Sequence, residues 1–271
     1  MKIAFIGGGN MATALAGGLI KRGQKASDLH VIEPDAAARK RIGKLRVKTF
    51  AKCDDKSLTG MQVVVLAVKP QQMREAALAL APLLKRQLVV TVAAGIRLAD
   101  LSRWLGGYRE MVRVMPNTPA LIGAGIAGLY AAAGVGAAAK KSAERILGAV
   151  GKTVWVKEES LLDPVTAVSA SSPAYVFWFI EQLAAAGVGL GLPEDVSLEL
   201  AKEAILGSAR LAADSRDSPT VLREKVTSKG GTTEAALRVF EQEGIADRFR
   251  RAVAAASRRG AEMGEAFGKD S

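Results

Sequence analysis

IAFIGGGNMATALA, residues 3–16, runs from four unbroken apolar residues through three glycines into a helical pattern. Ile3–Ile6 reads as a short strand buried on both faces. Gly7-Gly8-Gly9-Asn10-Met11-Ala12 then fits G-x-G-x-x-A between that strand and a helix beginning at Asn10. Glycines alone occur in many turns, but here the flanking strand and helix that the motif requires are both present. Gly7 permits the tight turn, Gly9 lets a pyrophosphate approach the backbone, and Ala12 lets helix and strand pack closely. The helix N-terminus leaves amides to donate to phosphates. Ile6, Gly7, Gly8, Gly9, Asn10 and Met11 are therefore expected to hold a dinucleotide. The same stretch imitates a signal peptide, with Lys2, an apolar run and Ala14-Leu15-Ala16. Three glycines and Asn10 interrupt that run and a single basic residue precedes it, so a signal peptide is not expected.

Outward from this turn, apolar runs alternate with helical patterns. Leu29–Ile32, Val63–Val68 and Leu88–Val92 read as further buried strands. Met111–Val114, Ile126–Tyr130 and Thr153–Val156 are weaker candidates. Helices are predicted over 10–21, 35–45, 71–84 and 135–150, and the alternation implies a parallel sheet with helices on both faces. After about Ser160 the strands stop, and helices are predicted over 164–186, 194–214, 219–224, 232–243 and 246–266. The chain is read as α/β: a Rossmann-type dinucleotide-binding domain over 1–160 and an all-helical domain over 161–271.

Composition excludes several classes of function. Of 271 residues, 49% are apolar and 24% charged, as in a soluble globular chain. Cys53 is the only cysteine, which excludes an internal disulfide framework and a cysteine-based zinc site. A reducing, cytoplasmic location follows most simply. The net charge of +11 is scattered along amphipathic helices without a nucleic-acid motif, so a basic surface attracting small anions is expected rather than a nucleic-acid partner. The most apolar later stretch, 165–192, contains Pro173, Glu181 and Gln182, which suits a buried helix and no membrane span.

Further candidates lie where strands end. Glu33, after the second strand, can accept from the adenosine ribose hydroxyls and favours NADH. Arg39, Lys40 and Arg41 stand near enough to neutralise a 2′-phosphate, so NADPH and NADH both remain open. Ala67, Val68, Lys69 and Pro70 end the strand beginning at Val63, at the edge of the sheet where ligands lie in such folds. Ala93, Ala94 and Gly95 offer either close packing or a floor for a nicotinamide ring. Asn117, in the rigid loop MPNTP, can donate to a carboxamide or a substrate. A second glycine turn, VTSKGGTTEAAL at 226–237, opens another helix. It reads as an anion cradle or as a plain cap with Thr232 or Thr233 as the capping residue and Glu234 in the first turn. With His30 alone at the adenosine end and no metal cluster or carboxylate pair visible, no proton-relay chemistry is evident.

In chain order, FIGGGNM, AVKPQQM, VAAGI, VRVMPNTPALIGAG, SSPAYVF and VTSKGGTTEAAL resemble the pyrroline-5-carboxylate reductase family, from Met1 to the helix after Thr233. The resemblance implies a Rossmann domain followed by a helical dimerisation domain, homodimers that often assemble into decamers, and proline formation by hydride transfer from NADPH or NADH. It further implies that Ser228, Gly230, Gly231, Thr232 and Thr233 cradle the substrate carboxylate. Thr233 would orient the ring nitrogen and Ser171 would line the pocket. Where the family has S-G-S-G-P-A-Y, this chain has Ser169-Ala170-Ser171-Ser172-Pro173-Ala174-Tyr175. If either glycine position takes positive φ, Ala170 or Ser172 adds strain, and a catalytically impaired relative becomes the alternative. A reductase of another small imine or keto acid is a second alternative.

Overall fold

A computed structural model describes residues 1–269. The first half alternates strand with helix: β1 (Ile3–Ile6), α1 (Asn10–Lys21), β2 (Leu29–Ile32), α2 (Ala36–Gly43), β3 (Lys48–Phe50), α3 (Asp55–Leu58), β4 (Val63–Leu66), α4 (Met73–Leu80), β5 (Leu88–Thr91) and α5 (Leu98–Trp104), of which β3, α3 and α5 lie outside the expected elements. There follow β6 (Met111–Met115), β7 (Gly125–Ala131), α6 (Ala137–Gly148) and β8 (Gly151–Trp155). The strands form one sheet in the order β3-β2-β1-β4-β5-β6-β7-β8. Alternate residues of the central strands feed two cores. Ile3, Phe5, Val63 and Val65 meet Leu15, Leu19 and Ile146 on one face. Ala4, Ile6, Val64 and Leu66 meet Met73, Ala77, Leu80 and Leu101 on the other. The order reverses between β1 and β4, and ligands bind beyond the carboxyl ends of the strands at such a point.

Two features depart from the expected all-parallel sheet. The strand β7 runs antiparallel to β6, with Met115 opposite Gly128. The connection 116–124 is too short for the dozen or more residues that a parallel crossover needs. The edge strand β3 (KTF, mostly exposed) was not predicted, because it lacks the apolar run that marked the others.

After β8 come α7 (Leu162–Val165), a π-turn over Thr166–Ala170, α8 (Ser172–Gly189), α9 (Glu194–Asp214), α10 (Pro219–Lys225), α11 (Thr232–Gln242) and α12 (Ile245–Gly268). The helix predicted over 164–186 is therefore interrupted. Pro173 lacks an N–H and is tolerated only in a first turn, so α8 starts at Ser172. The Ser171 amide instead closes the π-turn on the Thr166 carbonyl at 2.9 Å. Among the described residues no helix is long and apolar enough to cross a membrane.

The chain forms two compact units, residues 1–171 with 255–271 and residues 172–254. The expected boundary at 160 follows the change of element type. The packed boundary lies at Ser171, and the end of α12 rejoins the first unit. The reason is an ionic cluster in that unit. Arg113 of β6, buried, pairs with Glu159 at 2.9 Å and Asp163 at 3.7 Å. Glu159 also accepts from the Leu98 amide at 2.7 Å, and Arg97 donates to the Ala261 carbonyl at 3.2 Å. Residues 159–163 are thus tied to the sheet. In the second unit α8 crosses α9 closely: Ser197 Oγ donates to the Ala184 carbonyl at 2.8 Å, and a Cβ at Gly187 would collide with Ser197. Tyr175 and Phe179 pack against Phe249 at ring-centre distances of 6.1 and 5.9 Å.

Candidate functional site

The first glycine turn stands at the sheet's reversal. Gly7 has φ of +100°, and a Cβ there would lie 2.7 Å from the Ala67 carbonyl oxygen. The end of β4 therefore dictates glycine at position 7. Gly9 is the N-cap of α1 with no side-chain cap, and nothing stands within 4 Å of the place its Cβ would occupy. The first amide bonded into the helix is that of Thr13, to Gly9. Among the described residues no acceptor takes the amides of Asn10, Met11 or Ala12. Open space over Gly9 and three unused donors fit a dinucleotide pyrophosphate.

Glu33 lies beside this turn. Its Oε2 accepts from the Gly8 amide at 2.8 Å and its Oε1 from the Asp35 amide at 2.9 Å. Arg39 donates through one nitrogen to the carbonyls of Glu33 and Pro34, both at 2.6 Å. Val68 and Lys69 leave β4, with Pro70 beginning a 3-10 turn.

The other strand ends are packed by neighbouring segments of the first unit. Gly95 has φ of +73°, and a Cβ there would stand 3.1 Å from Phe267 Cδ2 and 3.3 Å from Met263 Cβ. Close packing against α12 thus accounts for Gly95, while Ala93 is buried and Ala94 half-buried beside it. Asn117 is buried, with Oδ1 accepting from the Ile126 amide at 2.9 Å and Nδ2 donating to the Ser169 carbonyl at 3.3 Å. Its side chain joins the MPNTP loop to the π-turn.

The second glycine turn belongs to the second unit. Gly230 has φ of +71°, which demands glycine, and Gly231 is the N-cap of α11 with no side-chain cap. Neither Thr232 nor Thr233 is the cap; they are the first two residues of the helix. The Gly231 amide closes the turn on the Ser228 carbonyl at 3.0 Å. The Gly230 amide donates to Glu234 Oε2 at 2.7 Å, a side chain reaching back past the N-cap to the residue before it. Of the residues expected to cradle an anion, Gly230 and Gly231 thus have their amides engaged. Among the described residues, no acceptor takes the amides of Thr232, Thr233 or Glu234. Glu234 stands in the first turn as the cap reading has it, and its bond to the Gly230 amide is what the sequence reading lacks. Its place three residues after the N-cap was the available signal.

Ser171 belongs to the first unit and Thr233 to the second. Ser171 has φ of −85° and ψ of −24°, and Arg46 is the only non-glycine residue with positive φ among the described residues. Ala170 and Ser172 are therefore free of the strain considered for them.

Residues 159–263 match a family described as "Pyrroline-5-carboxylate reductase dimerisation", and residues 2–95 match "NADP oxidoreductase coenzyme F420-dependent". A pyrroline-5-carboxylate reductase from Pseudomonas aeruginosa is 44% identical over 269 residues, spanning 99% of this chain and 98% of its own. The chain belongs to the pyrroline-5-carboxylate reductase family. The similarity extends to plants: the Pisum sativum pyrroline-5-carboxylate reductase is 37% identical, covering 96% of this chain and 95% of its own. A solved pyrroline-5-carboxylate reductase from Coxiella burnetii superposes with a TM-score of 0.91 at 37% identity, covering 97% and 98% of the two chains. The Plasmodium falciparum pyrroline carboxylate reductase, solved with NADP bound, gives 0.84 at 28% identity with the same coverage. Membership in the reductase family and the Rossmann-type sheet followed by helices agree with the reading of the motifs.

Proposed function

We infer that the chain reduces 1-pyrroline-5-carboxylate to L-proline with a reduced nicotinamide dinucleotide. The observation that carries this reading is the turn before α11: left-handed Gly230, glycine as N-cap, and unused amides on Thr232 and Thr233. A helix N-terminus prepared in this way suits the substrate's carboxylate. The amides of Asn10, Met11 and Ala12 hold the dinucleotide pyrophosphate, and Glu33 faces its adenosine ribose. The reduced nicotinamide supplies a hydride. The hydride adds to the imine carbon, the C=N pair moves to nitrogen, and nitrogen carries a proton already taken from solvent. An iminium carbon is electrophilic without a general acid, so the step asks for no proton-relay residue. The chain's contribution is therefore positioning. Thr232 and Thr233 amides fix the carboxylate and Thr233 Oγ1 orients the nitrogen, while Ser171 is the substrate-facing candidate of the first unit. Asn117 acts one step back, by holding the π-turn.

The matched dimerisation family and the apolar surface of α8 support a homodimer. Phe177, Trp178 and Leu183 are 61%, 54% and 50% exposed in the single chain, too much for a helix face left in water. Assembly of dimers into a decamer is the further step the resemblance implies. The setting is cytoplasmic, and the scattered positive charge draws in the two anionic reactants. The test is to mix the purified protein with pyrroline-5-carboxylate and each reduced cofactor and follow nicotinamide absorbance. Absorbance that stays constant with both, at ample enzyme, refutes imine reduction.

A further inference from the structure

The contact between the first glycine turn and the end of β2 bears on which dinucleotide is accepted. Glu33 is held from two sides, by the Gly8 amide on Oε2 and the Asp35 amide on Oε1. Gly8 fits against it so closely that a Cβ would stand 3.1 Å from Glu33 Cγ. The carboxylate is thus fixed beyond the carboxyl end of β2, where the adenosine ribose lies in this fold. Each oxygen keeps acceptor capacity for ribose hydroxyls. A 2′-phosphate brought to the same place would meet a carboxylate that cannot donate.

The basic residues that follow, Arg39, Lys40 and Arg41, belong to α2. Arg39 Nη1 is taken up by the carbonyls of Glu33 and Pro34. Lys40 and Arg41 lie in the last turn of α2. The first turn of that helix is capped by a second carboxylate, Asp35 Oδ1, which accepts from the Ala38 amide at 2.6 Å.

We propose that Glu33 makes this chain selective for NADH, rejecting NADPH by its charge against the 2′-phosphate. The proposal rests on the first glycine turn being the pyrophosphate seat, and it runs against the NADP named in the matched family and carried by the Plasmodium falciparum structure. Rejection by a fixed like charge is a repulsive device for specificity, independent of any new contact to NADH.

The test is calorimetric binding of ADP-ribose and 2′-phospho-ADP-ribose to the intact protein in about 0.15 M salt, where exposed charges are screened but partly buried ones much less. ADP-ribose is expected to bind at least tenfold more tightly, about 1.4 kcal/mol. In Glu33→Gln, which keeps an acceptor and removes the charge, the gap should close to within about threefold. Equal or tighter binding of the 2′-phosphorylated compound by the unmodified protein overturns the proposal. A tenfold gap that persists in Glu33→Gln overturns the assignment to Glu33. Turnover separates the two readings. Equal kcat/KM with NADH and NADPH sinks the selectivity alone. No reduction of the imine by either, with the ADP-ribose preference intact, sinks the reductase reading alone.

Discussion

Arg113→Met should weaken the protein in a pH-dependent way. Arg113 has a side chain 7% exposed and faces Glu159 at 2.9 Å and Asp163 at 3.7 Å, themselves 24% and 18% exposed. Methionine fills similar space but leaves two carboxylates close together without their cation. Removing one partner of a buried pair costs roughly 3–5 kcal/mol. Partial exposure of the carboxylates lets water recover some of that, so a loss of about 2–4 kcal/mol at pH 7 is expected. Asp163 titrates above the ordinary aspartate value because burial disfavours its charge, with Glu159 adding to the rise and Arg113 and Arg97 opposing it. A carboxyl group raised in the folded state favours folding while protonated, and that contribution is lost as pH climbs through the folded value. Without Arg113 the folded value climbs further, so the loss at neutral pH is larger. The gap between variant and parent should narrow as pH falls from 7 toward about 4, near the unfolded value. Urea denaturation at one fixed protein concentration measures it. With a slope near 3 kcal/mol/M, the midpoint should fall by about 1 M at pH 7. Arg113→Met with Glu159→Gln and Asp163→Asn should regain most of the loss. A midpoint change below about 0.3 M, or a gap independent of pH, would refute the reasoning.

Thr233→Ala should lower the rate of imine reduction by ~10-fold to 100-fold, the effect of one lost hydrogen bond in the reacting complex. Thr227→Ala is the control: its hydroxyl donates only to the Arg223 carbonyl, at 2.7 Å, and its turnover should match the parent. Equal turnover in the two variants would reduce the second glycine turn to a helix start. The Cys53 thiol is pushed up to about 11, by burial first and by Asp54 second, against a hydrogen bond from Ser57. At pH 8 iodoacetamide should therefore alkylate the native protein about 100-fold more slowly than the urea-unfolded chain, and mass spectrometry showing equal rates would contradict this. Light scattering at micromolar concentration should give at least the mass of a dimer; a single-chain mass would leave α8's aromatic surface unexplained.

Much of this protein is legible locally. IAFIGGG, VVVL and LVVT are buried strands because their apolar runs and bounding turns lie within a few residues. The helix at Asn10 begins where the third glycine ends for the same reason. The second turn at 228–233 was also found, since left-handed backbone and a helix start are short-range demands. The family itself follows from such motifs in order.

What tertiary structure decided is which groups remain available once the chain has packed. Gly95 ends a strand like any floor for a ligand, yet α12 arrives from far along the chain and covers it. Glu33 sits 25 residues from Gly8 and takes its amide. Asn117 is committed to Ile126 and Ser169, and Glu234 to Gly230. The antiparallel course of β7 and the polar edge strand β3 belong with these, because pairing partners and connection geometry select them. A residue's type states what it can donate or accept. Only the arrival of distant groups in the folded chain determines whether that capacity is already spent.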